Sequence, residues 1–198
     1  EFQRSLLPAE PLRTDRYGTA WFYKPCDEIG GDLLGVFEVD RSKLGFYVLD
    51  VTGHGVAAAL LSVTATHCLS GFFKLGCPTN VVGGLNRHFS KERYVNHSFT
   101  LVYCVLDLDR LTLEYTSAGH VGPIVVKKNG TALRHESLGI PVGMMADAEY
   151  PLGTVRLERG DRIFLVSDGV YEARDPKREE LGLERVLHAK SHRRDHGL

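Results

Sequence analysis

The chain is short of the features that mark specialised classes of protein. Its four cysteines, Cys26, Cys68, Cys77 and Cys104, form no C-x-x-C pair and have no histidine at zinc-finger spacing. A disulfide framework and a structural zinc centre are thereby excluded, and reduced thiols are the reading that remains. No charge of one sign dominates: 24 Lys and Arg face 25 Asp and Glu, a net charge of -1. A nucleic acid or an anionic membrane would find no global electrostatic footprint. Residues 44–63 are apolar enough to resemble a membrane span, but they hold Asp50, His54 and three glycines, so they read as a strand, a turn and a helix. A signal peptide, an internal repeat and a low-complexity segment are also missing. These absences point to one cytoplasmic domain, and 198 residues can bury a core without staples.

What is present is a succession of short aromatic and β-branched runs, at residues 17–23, 34–39, 44–51, 99–107, 111–116, 123–127 and 162–167. Several are separated only by turn residues such as Asp40-Arg41-Ser42, which favours antiparallel hairpins over crossovers. Helical spacing of Leu61, Ala65, Cys68 and Phe72 predicts a helix over 56–73. A second is expected from a cap at Thr79, with Val81, Leu85 and Phe89 on one face and Gly83 and Gly84 weakening it. A third, polar helix is expected over 183–190. The fold class is therefore α+β, with two mostly antiparallel sheets packed face to face and helices outside. The chain opens at Glu1, and Pro8 and Pro11 stop what looks like the end of a helix. Residues 1–12 are read as the tail of an upstream segment and 13–198 as a single domain. The His- and Arg-rich stretch 188–198 reads as a solvated tail.

Aspartates at the ends of apolar runs carry the chemistry. In Leu44-Gly45-Phe46-Tyr47-Val48-Leu49-Asp50 the even positions share one face, and in Arg162-Ile163-Phe164-Leu165-Val166-Ser167-Asp168 they do so again. Each acid ends a face that otherwise reads as core. A carboxylate there is costly unless a cation or several donors compensate it. Asp32, directly after Gly30-Gly31, is a third candidate, because the missing side chains let the backbone come close to a bound ion. The alternative is that these aspartates only initiate turns. Ligation by carboxylates alone selects hard cations such as Mg²⁺ or Mn²⁺, which suit phosphate chemistry.

The ordered set Gly30-Gly31-Asp32, Asp50-Val51-Thr52-Gly53-His54-Gly55, Ser117-Ala118-Gly119-His120 and Ser167-Asp168-Gly169 resembles the PPM-type metal-dependent protein phosphatases, in their bacterial SpoIIE/RsbU-like branch. Gln3-Arg4-Ser5-Leu6-Leu7-Pro8 and Leu138-Gly139-Ile140-Pro141-Val142-Gly143 extend the match to nearly the whole chain. The resemblance implies a four-layer α-β-β-α sandwich and two Mn²⁺ or Mg²⁺ ions between the sheets. It implies that Asp50 bridges both metals, that Asp32 and the Val51 carbonyl complete one site, and that Asp168 binds the other. The implied substrate is a phosphorylated Ser or Thr on a STAS-domain anti-sigma-factor antagonist. A sensor or receiver domain upstream is implied as well, and a helical start leaves room for a homodimer. The family carries a further metal carboxylate in an Asp-Asp-x-Thr stretch on a last strand. Asp195 in Arg193-Arg194-Asp195-His196 does not read as a strand, so the domain is expected to lack that strand.

Around these acids, His54 sits where an imidazole could protonate the leaving alkoxide. His120 precedes Gly122-Pro123 and reads as a hydrogen-bonding residue that sets the turn. Glu172 could order water near the last motif, whereas Lys24 and Arg4 read as ordinary surface cations. Two further functions stay open: a binding module of the same fold that no longer turns over phosphate, and a phosphoesterase acting on small esters.

Overall fold

The computed structural model describes residues 6–25, 30–53, 55–90, 98–136, 139–174 and 178–192. Arg4, Cys26, His54, Leu138, Asp195 and most of the expected N-terminal helix end lie outside the described residues. Along the chain the elements are β1 (Leu33–Asp40), β2 (Lys43–Val51), α1 (Val56–Phe72), α2 (Pro78–Phe89), β3 (Phe99–Asp107) and β4 (Thr112–Ala118). There follow β5 (Ile124–Val126), β6 (Ala132–Arg134), β7 (Gly153–Arg156), β8 (Arg162–Phe164), α3 (Asp168–Tyr171) and α4 (Gly182–His192). One sheet has the order β1-β2-β3-β4-β7 and the other β6-β5-β8. Every ladder between these strands is antiparallel, as the short connections β1–β2, β3–β4 and β5–β6 require of those pairs.

Side-chain alternation makes the layers. The odd positions Tyr47, Leu49 and Val51 of β2 and Leu101 and Tyr103 of β3 pack under α1 and α2 with Ala65, Leu69, Leu85 and Phe89. The even positions Phe46, Val48, Val102 and Cys104 face the second sheet and meet Val125, Ile163 and Leu165. The outer face of that sheet, with Ile124, Val126 and Phe164, is covered by Tyr171, Leu183 and Leu187 of α3 and α4. The result is the expected α-β-β-α sandwich.

Several expectations need correction. Residues 17–23 form no ladder, since no described strand runs beside them; an isolated Arg13–Gly18 bridge is all that pairs there. The strands β6 and β7 carry no long apolar run and were not foreseen. The cap of α2 is Cys77 followed by Pro78 rather than Thr79, whose hydroxyl instead lies 3.3 Å from that of Thr116. On α1 the expected Leu61, Ala65, Cys68 and Phe72 do pack on the core, joined by the buried Ala58, Ser62 and Leu69, whereas Leu60, expected beside them, is exposed. Finally, β8 ends at Phe164, and Phe164 and Val166 face α4 rather than the gap between sheets, so the shared parity with Asp168 does not hold.

Glycines mark where rings cross. Gly35 is paired with Tyr47, Gly45 with Phe37 and Gly153 with Tyr115, and in each pair the partner's ring lies over the position a Cβ would take. Phe37 in turn stacks on Phe73 at 3.8 Å between centroids. In α2 the two adjacent glycines differ: a Cβ on Gly84 would lie 2.8 Å from the Phe72 ring, whereas Gly83 meets only the Arg87 guanidinium at 3.5 Å. Gly83→Ala is therefore expected to stabilise the fold by about 0.5–1 kcal/mol by lowering the conformational entropy of the unfolded chain, and Gly84→Ala to destabilise it by about 1–3 kcal/mol through overpacking. Urea unfolding of the two variants checks the opposite signs.

Candidate active site

The register of the first hairpin brings two acids together. Leu33 pairs with Leu49, so one step beyond the ladder Asp32 stands across from Asp50. That step is close because Gly31 is buried with no side chain: a Cβ there would lie 2.6 Å from the carbonyl of Val51. The glycine predicted to allow backbone approach thus does so, and what it approaches is the Val51 carbonyl. Beyond β2 the turn to α1 needs Gly53 (φ 102°) and Gly55 (φ 82°), conformations that side chains rarely adopt. On the other side of Asp50, its carbonyl accepts a hydrogen bond from the Thr100 hydroxyl at 3.4 Å.

Asp50 continues the even parity of β2 and so opens into the space between the sheets. Asp168 comes to the same end from the second sheet. After Phe164 the chain leaves the ladder, Ser167 is extended, and Asp168 is the first residue of α3, half-buried. Burial, then the hydrogen bond and charge of Asp32, then the charges of Asp168 and Glu172, push the Asp50 carboxyl up to about 7. Burial and then Asp168, Glu172 and Asp50 likewise raise the Tyr171 phenol. Three predicted acids, and Glu172 with them, therefore act on one another electrostatically.

Among the described residues no group of three or more His, Cys, Asp or Glu side chains stands close enough to hold a metal ion as placed. What converges is negative charge. An all-oxygen set of Asp32, Asp50, Asp168 and the Val51 carbonyl, whose negative charge a cation would offset, fits a hard divalent ion.

His120 is 5% exposed and its Nδ1 lies 3.0 Å from the Val121 carbonyl. Burial lowers its proton affinity, against the pull of that carbonyl and of Asp32 and Asp168. The turn it occupies is tied down on both sides: the Ser117 hydroxyl donates to the His120 carbonyl, and the Gly119 amide donates to the Gly139 carbonyl at 2.7 Å. The Gly139-Ile140-Pro141-Val142 segment also bridges Phe99 at the start of β3 through Val142. The Ser-Ala-Gly-His motif and the Gly-Ile-Pro-Val-Gly motif are thus two halves of one clamp beside the acids. Lys24 shows no contact that sets it apart from other surface cations.

Raising the Asp50 pKa gives the cation-free protein a pH signature. Between the ordinary carboxyl value of 3.8 and about 7, the folded state keeps a proton that the unfolded state has lost, so stability falls as pH rises through that window and levels off above it. Thermal unfolding in EDTA is expected to show this fall. Asp50→Asn should remove it, and added Mn²⁺ should restore the midpoint at neutral pH.

Comparison with known proteins places the same residues in context. Residues 40–197 match the family described as Stage II sporulation protein E (SpoIIE). The phosphoserine phosphatase RsbP of Bacillus subtilis (strain 168) is 28% identical over 168 residues, 82% of this chain and 42% of its own length. The phosphoserine phosphatase RsbU of the same organism is 30% identical over 174 residues, 87% of this chain and 52% of its own length. The chain thus spans about half the length of these curated relatives. The SiaA-PP2C domain of Pseudomonas aeruginosa shares the fold, with a TM-score of 0.80 at 20% identity over 96% of this chain and 78% of that one. With its paired sheets, its acids at their shared end and a match over most of its length, the chain belongs to the SpoIIE family of PPM-type phosphatases.

Proposed function

We propose that the domain hydrolyses phosphoserine or phosphothreonine on a signalling protein, using two Mn²⁺ or Mg²⁺ ions. The observation that carries this reading is the meeting of Asp32 and Asp50 from one sheet with Asp168 from the other. Asp50 would be the ligand common to both ions, with Asp32 and the Val51 carbonyl serving one and Asp168 the other. When bound, the ions supply Lewis acidity toward the phosphoryl oxygens and the attacking water. The protein's part is to fix these oxygens in advance: Gly31 sets the distance of Asp32 from the Val51 carbonyl, and the hydrogen bond from Thr100 holds the backbone at Asp50. His54, one residue before the Gly55 turn, donates the proton to the leaving alkoxide.

RsbP and RsbU carry the name phosphoserine phosphatase, which supports the same substrate chemistry here. The substrate we favour is a phosphorylated STAS-domain protein in a partner-switching circuit in the cytoplasm. In this reading residues 13–198 form the catalytic domain, and residues 1–12 lead to it from a sensor or receiver domain, a connection through which two copies could pair.

Hydrolysis of a phosphoserine STAS protein should require Mn²⁺ or Mg²⁺, and Asp50→Asn or Asp168→Asn should each lower kcat by about 10²-fold or more. Metal-independent turnover, or full activity in both variants, sinks the assignment. Turnover confined to small esters would favour the phosphoesterase alternative, and metal-dependent binding of the phosphoprotein without turnover the binding-module one. His54→Asn should slow phosphoserine hydrolysis by about 10²-fold while sparing para-nitrophenyl phosphate, whose phenolate leaves without a proton. Equal losses on both substrates would remove the general-acid role.

A further inference from the structure

A cleft of about 360 Å³ lies beside the acids, lined by Gly119, His120, Val121, Gly122, Arg134 and Glu136. Its inner wall, His120, is within electrostatic reach of Asp32 and Asp168. Its outer wall is the end of β6, and the register fixes where that end is. Arg134 pairs with Ile124, and Ile124 pairs with Phe164, four residues before Asp168. With strands spaced about 4.8 Å apart, Arg134 stands about 10 Å from the strand that delivers Asp168, at the same end of the sheet.

The cleft is built rather than incidental. The His135 amide donates to the Pro123 carbonyl at 3.0 Å, and the Tyr115 hydroxyl donates to the Glu136 carbonyl at 3.2 Å. Gly122 lies so close under the His135 carbonyl that a Cβ would collide with it. Both walls are therefore held by hydrogen bonds at a fixed separation. Arg134 is exposed at the rim and, among the described residues, makes no ion pair. Beside Glu136 in the lining, this exposed guanidinium offers an approaching acidic group a cation, in a geometry suited to a carboxylate.

We propose that this cleft receives the backbone flanking the phosphorylated residue of a protein substrate, and that Arg134 binds an acidic side chain of that segment. The inference rests on the phosphatase reading and adds a substrate preference to it. At about 3.3 Å per extended residue, a lateral distance of about 10 Å to β8 and the further four residues from Phe164 to Asp168 put the acidic side chain about three to five residues from the phosphorylated one.

The test uses the full chain and two phosphoserine peptides, one with Asp and one with Lys at the third to fifth positions on either side. With Mn²⁺, the ratio of kcat/KM for the Asp peptide over the Lys peptide should fall about fivefold in Arg134→Gln, the size of one exposed ion pair, and further in Arg134→Glu. The fall should shrink at high salt. Arg110→Glu, an equally exposed arginine in the distant β3–β4 turn, should leave the ratio unchanged. A ratio that stays constant across the Arg134 variants, or that shifts as much in Arg110→Glu, overturns the proposal. Fluorescence anisotropy of labelled peptides in EDTA separates the two claims. Arg134-dependent preference for the Asp peptide without any metal-dependent hydrolysis keeps the cleft and removes the phosphatase. Hydrolysis without discrimination between peptides does the reverse.

Discussion

Like charges brought together at the seam of two sheets are the constraint around which this domain is arranged. Asp32, Asp168 and Glu172 all act on Asp50 with like charge, and a carboxylate group in that position opposes the packing that creates it. The opposing weight comes from the layers on either side. The helix-covered face of the first sheet is filled by Leu49, Leu101 and Tyr103, and the gap between sheets by Val102, Cys104 and Val125, each at or near zero exposure. The acids can be forced into proximity because the strands that present them are locked along their length and free only at their ends.

This explains why the glycine motifs sit where they do. Gly31 is a contact distance, Gly53 and Gly55 are backbone angles, and Gly119 and Gly139 are two sides of a clamp, the Gly119 amide donating to the Gly139 carbonyl and the Gly139 amide to the Ser117 carbonyl. None of these residues carries chemistry. Gly31, Gly119 and Gly139 each remove a side chain so that a carbonyl or a neighbouring loop can come nearer than an ordinary residue would allow, whereas Gly53 and Gly55 supply the positive φ of the turn. Asn86 works alongside them from α2: its amide donates to the carbonyls of Met145 and Ala146 and accepts from the Gly143 amide, which anchors the loop that follows the clamp.

The sequence made much of this legible because the relevant signals are local. Alternation in residues 44–50 placed Asp50 on the face between the sheets, and the strands from Phe99 and Thr112 begin and end close to where their apolar runs do. It misjudged Asp168 because parity carries information only while the ladder continues, and β8 ends four residues too early. It read the core face of α1 through Leu61, Ala65, Cys68 and Phe72 but set Leu60 beside it, where the helix turns that side chain to solvent. It did not single out Arg134 or Glu136, whose interest arises only when the register lines up β6, β5 and β8; no local pattern marks an arginine at the end of a three-residue strand. The short β6 and β7 escaped for the same reason, being defined by their partners more than by their own composition.

The crossed glycine and aromatic pairs bear on how such a domain can change over time. Tyr47 over Gly35, Phe37 over Gly45 and Tyr115 over Gly153 each fill with one ring the space of two side chains. A methyl group added on the glycine side has nowhere to go, and a ring lost on the other side leaves a void that a lone hydrogen cannot fill. Neither member can drift alone. The sheets are in this sense spelled in two-letter units, and a viable neighbour of this sequence is reached by exchanging both letters or neither.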